Sequence, residues 1–154
     1  GVFNCGSMQV EPGAFNVIPA TARLTMECRH TDQDRMTAME GALIRLAQEI
    51  AVARRLTVNI KRDGYMPAMT LNPATIQAAT TACDHLHLNH TQLISYAGHD
   101  AQMLGQVTPA GMIFIPSVEG ISHSPREFTE WAHVVQGANV LLHTVLELAK
   151  GGVG

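Results

Sequence analysis

Apolar and polar positions alternate loosely over residues 2–10 and more strictly over 20–29, which predicts two strands. In the second stretch Ala22, Leu24, Met26 and Cys28 share one face, and Arg23, Thr25, Glu27 and Arg29 share the other. That pattern predicts a half-buried strand. Glu11-Pro12-Gly13 predicts a turn between the two. The period then changes. Thr31 or Asp32 suits a helix cap, and Met36, Met39, Leu43, Leu46, Ala47 and Ile50 recur at helical spacing to about Arg54. Leu56-Thr57-Val58-Asn59-Ile60 predicts a further short strand. Residues 1–63 therefore read β-β-α-β, the order of the second part of a ferredoxin-like β-α-β-β-α-β sandwich without its opening β-α. Such a remnant leaves a sheet edge and part of a face uncovered.

Gly64-Tyr65-Met66-Pro67 marks a boundary. Beyond it, Asn72 caps a helix whose first residue is Pro73, and the helix runs to about His87. Thr91–Ser95 predicts a short strand, 101–104 a short helix, and Gly111–Pro116 an apolar strand. The last helix spans about Trp131 to Lys150. Val134, Val135, Ala138, Leu141, Leu142, Val145, Leu146 and Ala149 give it a broad apolar face, and Gly151 and Gly152 end it. Strands alternating with helices indicate an α/β protein.

Composition narrows the function. The chain is 46% hydrophobic and 15% charged, enough apolar material for a core with little charge to spare. Net charge is −3 and the cationic residues are scattered, which argues against nucleic acid. No apolar run reaches the roughly 18–20 residues of a membrane span. Residues 1–10 lack the regions of a signal peptide. Cys5, Cys28 and Cys83 form no CxxC pair and read as buried, reduced thiols of a cytoplasmic protein. The chain opens on Gly1 and runs at once into Val2-Phe3-Asn4-Cys5, which reads as the inside of a strand and not a leader, as in a fragment, a processed product or a trimmed chain.

Two histidines stand in glycine-, serine- and proline-rich loops, where turns rather than helix faces present an imidazole. His123 lies in Gly120-Ile121-Ser122-His123-Ser124-Pro125, just past the apolar segment 111–116. Loops at strand ends are where α/β proteins place ligands, and a neutral imidazole there can donate a lone pair to a divalent metal. One histidine is not a site, because zinc takes three or four protein ligands. His99 follows Gly98, whose N–H an anion can approach without a Cβ in the way. The alternative for His99 is a local role at the start of a helix. Arg29 can fork onto a carboxylate, or pair on the surface with Asp32 or Asp34. Asn16 can contact a ligand or stabilise a turn. His85, His87 and His90 resemble a metal cluster, but their spacing spreads them over different helix faces. His133 and His143 read as surface or boundary residues, and the methionines at helical spacing as core.

Taken together, Val10–Pro19, Glu27-Cys28-Arg29-His30-Thr31-Asp32, Ala97–Gln102 and Gly111–Pro125 resemble the metal-dependent amidohydrolases that act on N-carbamoyl amino acids, β-ureidopropionate and allantoate, relatives of the zinc exopeptidases. The likeness covers essentially the whole chain. It implies a catalytic domain split by an inserted lid that also forms a homodimer. Residues 1–68 would be the second portion of the lid, and 69–154 the C-terminal return segment of an α/β zinc-exopeptidase-like catalytic domain. It implies further that His123 is one metal ligand, that Asn16, Arg29, Gly98 and His99 hold the small-molecule substrate, and that two divalent ions, zinc or manganese, occupy the complete site. The family's other ligands and its catalytic glutamate precede this segment, so the resemblance implies a portion inactive without an N-terminal metal-binding portion. Alternatives are a split enzyme with that portion on a separate chain, and a non-catalytic dimerisation or interaction module. Two departures stand out: Ala20 where the family usually has glycine, and Tyr96 in place of glycine ahead of Ala97-Gly98-His99-Asp100. Cys28–Thr31 and Ala97–Gln102 lean towards the allantoate branch.

Overall fold

A computed structural model describes residues 1–151. It is a mixed α/β chain: strands β1 (Val2–Glu11) and β2 (Thr21–Arg29), then helices α1 (Gln33–Arg54), α2 (Pro73–His85), α3 (Asp100–Leu104) and α4 (Trp131–Gly151). Gly152, expected to help end the last helix, lies outside the described residues. The chain forms two compact units. One comprises Gly1–Met69 with Ile94–Gly98, the other Thr70–Leu93 with the described residues from His99 on.

In the first unit β1 and β2 form a two-stranded antiparallel ribbon, with Val2 opposite Arg29 at one end and Glu11 opposite Thr21 at the other. Gly6 is the extra residue where the register shifts between Cys5 and Ser7. The expected half-buried face is not buried: Leu24 and Met26 are 46% and 50% exposed. A ribbon of two strands has no second layer over most of its length, so both faces meet solvent. Cys5 is exposed on it, and Cys28 and Cys83 are only half-buried, against the expectation of buried thiols.

Asp32, not Thr31, caps α1; its carboxylate accepts the Arg35 N–H at 2.9 Å, and that bond holds its pKa below the ordinary range. Residues 56–69 then return along α1. Leu56 N–H bonds the Ala51 carbonyl, Arg62 pairs with Glu40, and Ala68 N–H reaches the Gln33 side chain at 3.0 Å. This corrects the expected strand at 56–60. The segment has no ladder of its own and is held through helix-end and side-chain bonds. Met36 and Met39, expected in the core, are half-buried on the same helix.

In the second unit α2 packs against α4. Asn72 caps α2 as expected, accepting from Ala74 and Thr75 N–H. The helix stops at His85, two residues early, and His87 takes the left-handed φ of 53°. Among the described residues of this unit, the buried ones are Ala78 and Ala82 of α2 and Val140 and Thr144 of α4. The apolar face expected on α4 is therefore displaced. Leu141, Leu142, Val145 and Leu146 are exposed, and the buried stripe runs through Val140 and Thr144. Thr144 tolerates this burial because its hydroxyl donates to the Val140 carbonyl at 2.7 Å.

The expected strands at 91–95 and 111–116 are likewise unpaired among the described residues. An apolar run supplies the side chains for a strand, but a strand also needs a neighbour for its backbone groups. Segment 110–116 instead lies on the helices. Asn72 N–H bonds the Ala110 carbonyl at 2.9 Å, and Gly111 and Gly137 allow close approach to Thr75 and Ile115. A Cβ on Gly111 would stand 2.3 Å from Thr75 Cγ2 and 3.1 Å from its Cβ. Gly111→Ala is expected to destabilise by about 1–3 kcal/mol through overpacking. Thermal melts check this, and Thr75→Ser, which removes the obstructing methyl, is expected to recover most of the loss. An unchanged melt for Gly111→Ala would contradict this packing.

Candidate functional site

Asn16 and Arg29 sit at opposite ends of the ribbon. Asn16 lies in the exposed β1–β2 connection, where Val17 N–H bonds the Ala14 carbonyl and Ala20 N–H bonds the Glu11 carbonyl. Arg29 ends β2. Eight residue steps from Thr21 to Arg29 extend about 26 Å. One small molecule cannot touch both residues of the same chain.

Arg29 does not pair with Asp32 or Asp34. Asp32 is committed to its helix cap. Arg29 Nη2 instead meets Glu27 Oε1 at 2.6 Å, and Nη1 donates to the Tyr96 carbonyl. Glu27 is two residues back on the same strand, so its side chain leaves the same face. Tyr96 belongs to the segment 94–98 that folds with the ribbon. Gly98 follows it, with space beside its Cα bounded by Met66 Sδ, 3.7 Å from where a Cβ would stand.

His99 is the residue before α3, in extended conformation, and its side chain makes no cap hydrogen bond. Its ring meets Phe114 edge-on, with centroids 5.6 Å apart and planes at 70°. The Phe114 ring walls one side of the imidazole. Phe114 was legible only as part of an apolar run.

His123 is exposed, in a loop closed at its base by Val118 N–H to the Phe128 carbonyl at 2.8 Å. Ser117 donates to the Ile121 carbonyl inside it. The His123 backbone is left-handed, φ 54°, and its N–H is accepted by Glu127 Oε2 at 2.9 Å. Such a conformation costs a non-glycine residue about 1–2 kcal/mol, and Arg55, His87 and Glu119 share it. Glu127, four residues on, escaped sequence reasoning because nothing in its spacing separates a loop anchor from a solvated charge.

The residues present do not make a metal centre. His123 can supply one ligand, but among the described residues no group of three His, Cys, Asp or Glu could hold an ion. His85, His87 and His90 form no such group either. His90 Nδ1 lies 3.3 Å from the Leu88 carbonyl and 3.8 Å from Asp84. A cleft between α2 and α4 brings His85 near His143 and Glu147, and none of the expected substrate-binding residues lines it. Burial, and then the charge of Asp84, push the half-buried Cys83 thiol up, which disfavours the thiolate. No helix among the described residues is long and apolar enough to cross a membrane.

Comparison with known proteins bears out the resemblance. The sequence profile of peptidase family M20/M25/M40 matches residues 2–147. The chain is 34% identical over 146 residues to the N-carbamoyl-L-amino acid amidohydrolase of Geobacillus stearothermophilus, covering 95% of this chain and 36% of that protein. It is 31% identical over 151 residues to the allantoate amidohydrolase of Escherichia coli, covering 96% and 36%. A solved amidase of the hydantoinase/carbamoylase family from Burkholderia multivorans superposes with a TM-score of 0.87 at 36% identity, covering 94% of this chain and 35% of that one. The chain thus spans about a third of the length of these relatives. On a match that runs from the first strand into the last helix, the chain belongs to peptidase family M20/M25/M40.

Proposed function

We propose that this chain is the C-terminal portion of a metal-dependent amidohydrolase. The complete enzyme hydrolyses the carbamoyl or ureido C–N bond of an N-carbamoyl amino acid or allantoate. The observation that carries this reading is the likeness over 95% of the chain to an N-carbamoyl-L-amino acid amidohydrolase. Residues 1–68 are the second portion of a lid, and 69–154 the return segment of the catalytic domain. Arg29 pairs with the substrate carboxylate, and Gly98 N–H and His99 complete its cradle. Asn16 hydrogen-bonds substrate. His123 is a ligand to a divalent zinc or manganese ion. No residue here is assigned as the base that activates water.

Three observations support this reading. The His123 loop, closed by Val118 N–H on the Phe128 carbonyl and by Glu127 on the His123 N–H, holds an exposed imidazole in place. The distance along the ribbon between Asn16 and Arg29 is accommodated by a homodimer in which each lid serves two sites. The exposed Leu141, Leu142 and Val145 of α4, with Phe114 and Ile115 of the extended segment, suit a surface that further chain covers.

The 154-residue chain alone, supplied with Mn²⁺ or Zn²⁺, is expected to hydrolyse no N-carbamoyl amino acid and no allantoate. Adding the N-terminal portion, fused or as a second chain, restores turnover. Turnover by the isolated chain would overturn the reading of incompleteness, and failure of every reconstituted form would favour the non-catalytic module.

A further inference from the structure

Arg29 already holds a carboxylate. Glu27 Oε1 stands 2.6 Å from Nη2, while Nη1 is fixed on the Tyr96 carbonyl. The two contacts do different work. The carbonyl orients the guanidinium plane and carries no net charge. The carboxylate neutralises the cation that a substrate carboxylate would pair with, and it occupies one of the five N–H donors of the guanidinium. The Glu27 side chain is 54% exposed and that of Arg29 41%, so Glu27 can swing into water without opening a core.

We propose that Glu27 is an internal stand-in for the substrate carboxylate: it occupies the Arg29 guanidinium in the empty protein and is displaced on binding. This rests on the proposed pairing of Arg29 with substrate. The exchange conserves charge at the guanidinium, one carboxylate leaving as another arrives. Glu27 therefore sets affinity and selects against weak anions, while the Tyr96 carbonyl keeps the fork aimed throughout. Glu27 is a positioning residue and touches no reacting atom.

An exposed ion pair is worth about 0.2–1 kcal/mol, so its removal changes affinity only a few-fold. The test is an NMR titration of the complete enzyme, held metal-free so that the ligand is not hydrolysed and with this segment isotope-labelled, with N-carbamoylglycine, following the Arg29 Nε–H signal, which reports weak binding directly. The uncharged N-carbamoylglycinamide is the control. Glu27→Gln is expected to lower the apparent Kd about 2–5-fold. Glu27→Thr, which suits a strand, is expected to do the same. The amide is expected to leave the signal unmoved in every form. If the carboxylate shifts the signal with the same Kd in all three chains, the Glu27 proposal fails and the Arg29 reading stands. If the signal ignores the carboxylate throughout, the Arg29 reading fails and takes the proposal with it.

Discussion

His123→Gly is expected to give a complete enzyme that is as stable as the parent, or more so, and inactive. Glycine adopts the left-handed conformation of this position without a Cβ penalty, so relief of up to about 1 kcal/mol is expected in a melt. The loop stays closed, because Val118 still bonds Phe128 and the residue 123 N–H still reaches Glu127. Only the imidazole is lost. Changes to groups that merely orient a metal-bound histidine cost about 10–100-fold in affinity or activity. Loss of the ligand itself is expected to cost more than about 100-fold in turnover, with weaker metal retention on dialysis. A glycine variant that is stable and active would return His123 to an ordinary loop residue. A purely structural histidine would show the opposite pattern, loss of stability with activity tracking the folded fraction.

Arg29→Ala is expected to raise KM about 10–100-fold in the complete enzyme, since hydrogen bonds to charged groups are worth about 1.5–3 kcal/mol. Most of the loss falls on KM if the carboxylate is held equally in ground and transition states. Arg29→Lys recovers only part, because an ammonium cannot present the planar fork. It also cannot hold the Tyr96 carbonyl and a carboxylate in the same geometry. Steady-state kinetics with an N-carbamoyl amino acid, run beside its uncharged amide, check this. The amide is expected to be as poor a substrate for the parent as the acid is for the variant. An unchanged KM for the acid would remove Arg29 from the substrate site.

These outcomes depend on features of different legibility. Asn72-Pro73 announces α2 because cap and first-turn chemistry are local, and the change of period after residue 31 announces α1 for the same reason. Arg29 and His123 stand out because few residue types make a fork or donate a lone pair from a loop. Glu27 was visible at i−2 of Arg29, but a strand places it equally well beside the arginine or in solvent. The Tyr96 carbonyl was invisible, since backbone atoms leave no mark in a residue pattern.

The extended segments went the other way. Residues 56–60, 91–95 and 111–116 carry strand-like side chains, and none is in a ladder among the described residues. Alternation and apolar runs report which way side chains face. They do not report whether a neighbouring backbone is there to bond. On α4 the sequence displayed more apolar positions than one partner helix can cover, and packing against α2 selected Val140 and Thr144.

By itself, then, the sequence determined what is local: helix caps, periodicity, the two loop histidines, and a set of motifs whose order marks the family. Tertiary structure decided what is not: the carboxylate already on Arg29, the aromatic wall beside His99, the left-handed backbone under His123, and the length of ribbon between Asn16 and Arg29. The physical reason is range. Capping and period act over a few residues and are written in them, whereas pairing and burial depend on which distant segment arrives to satisfy them.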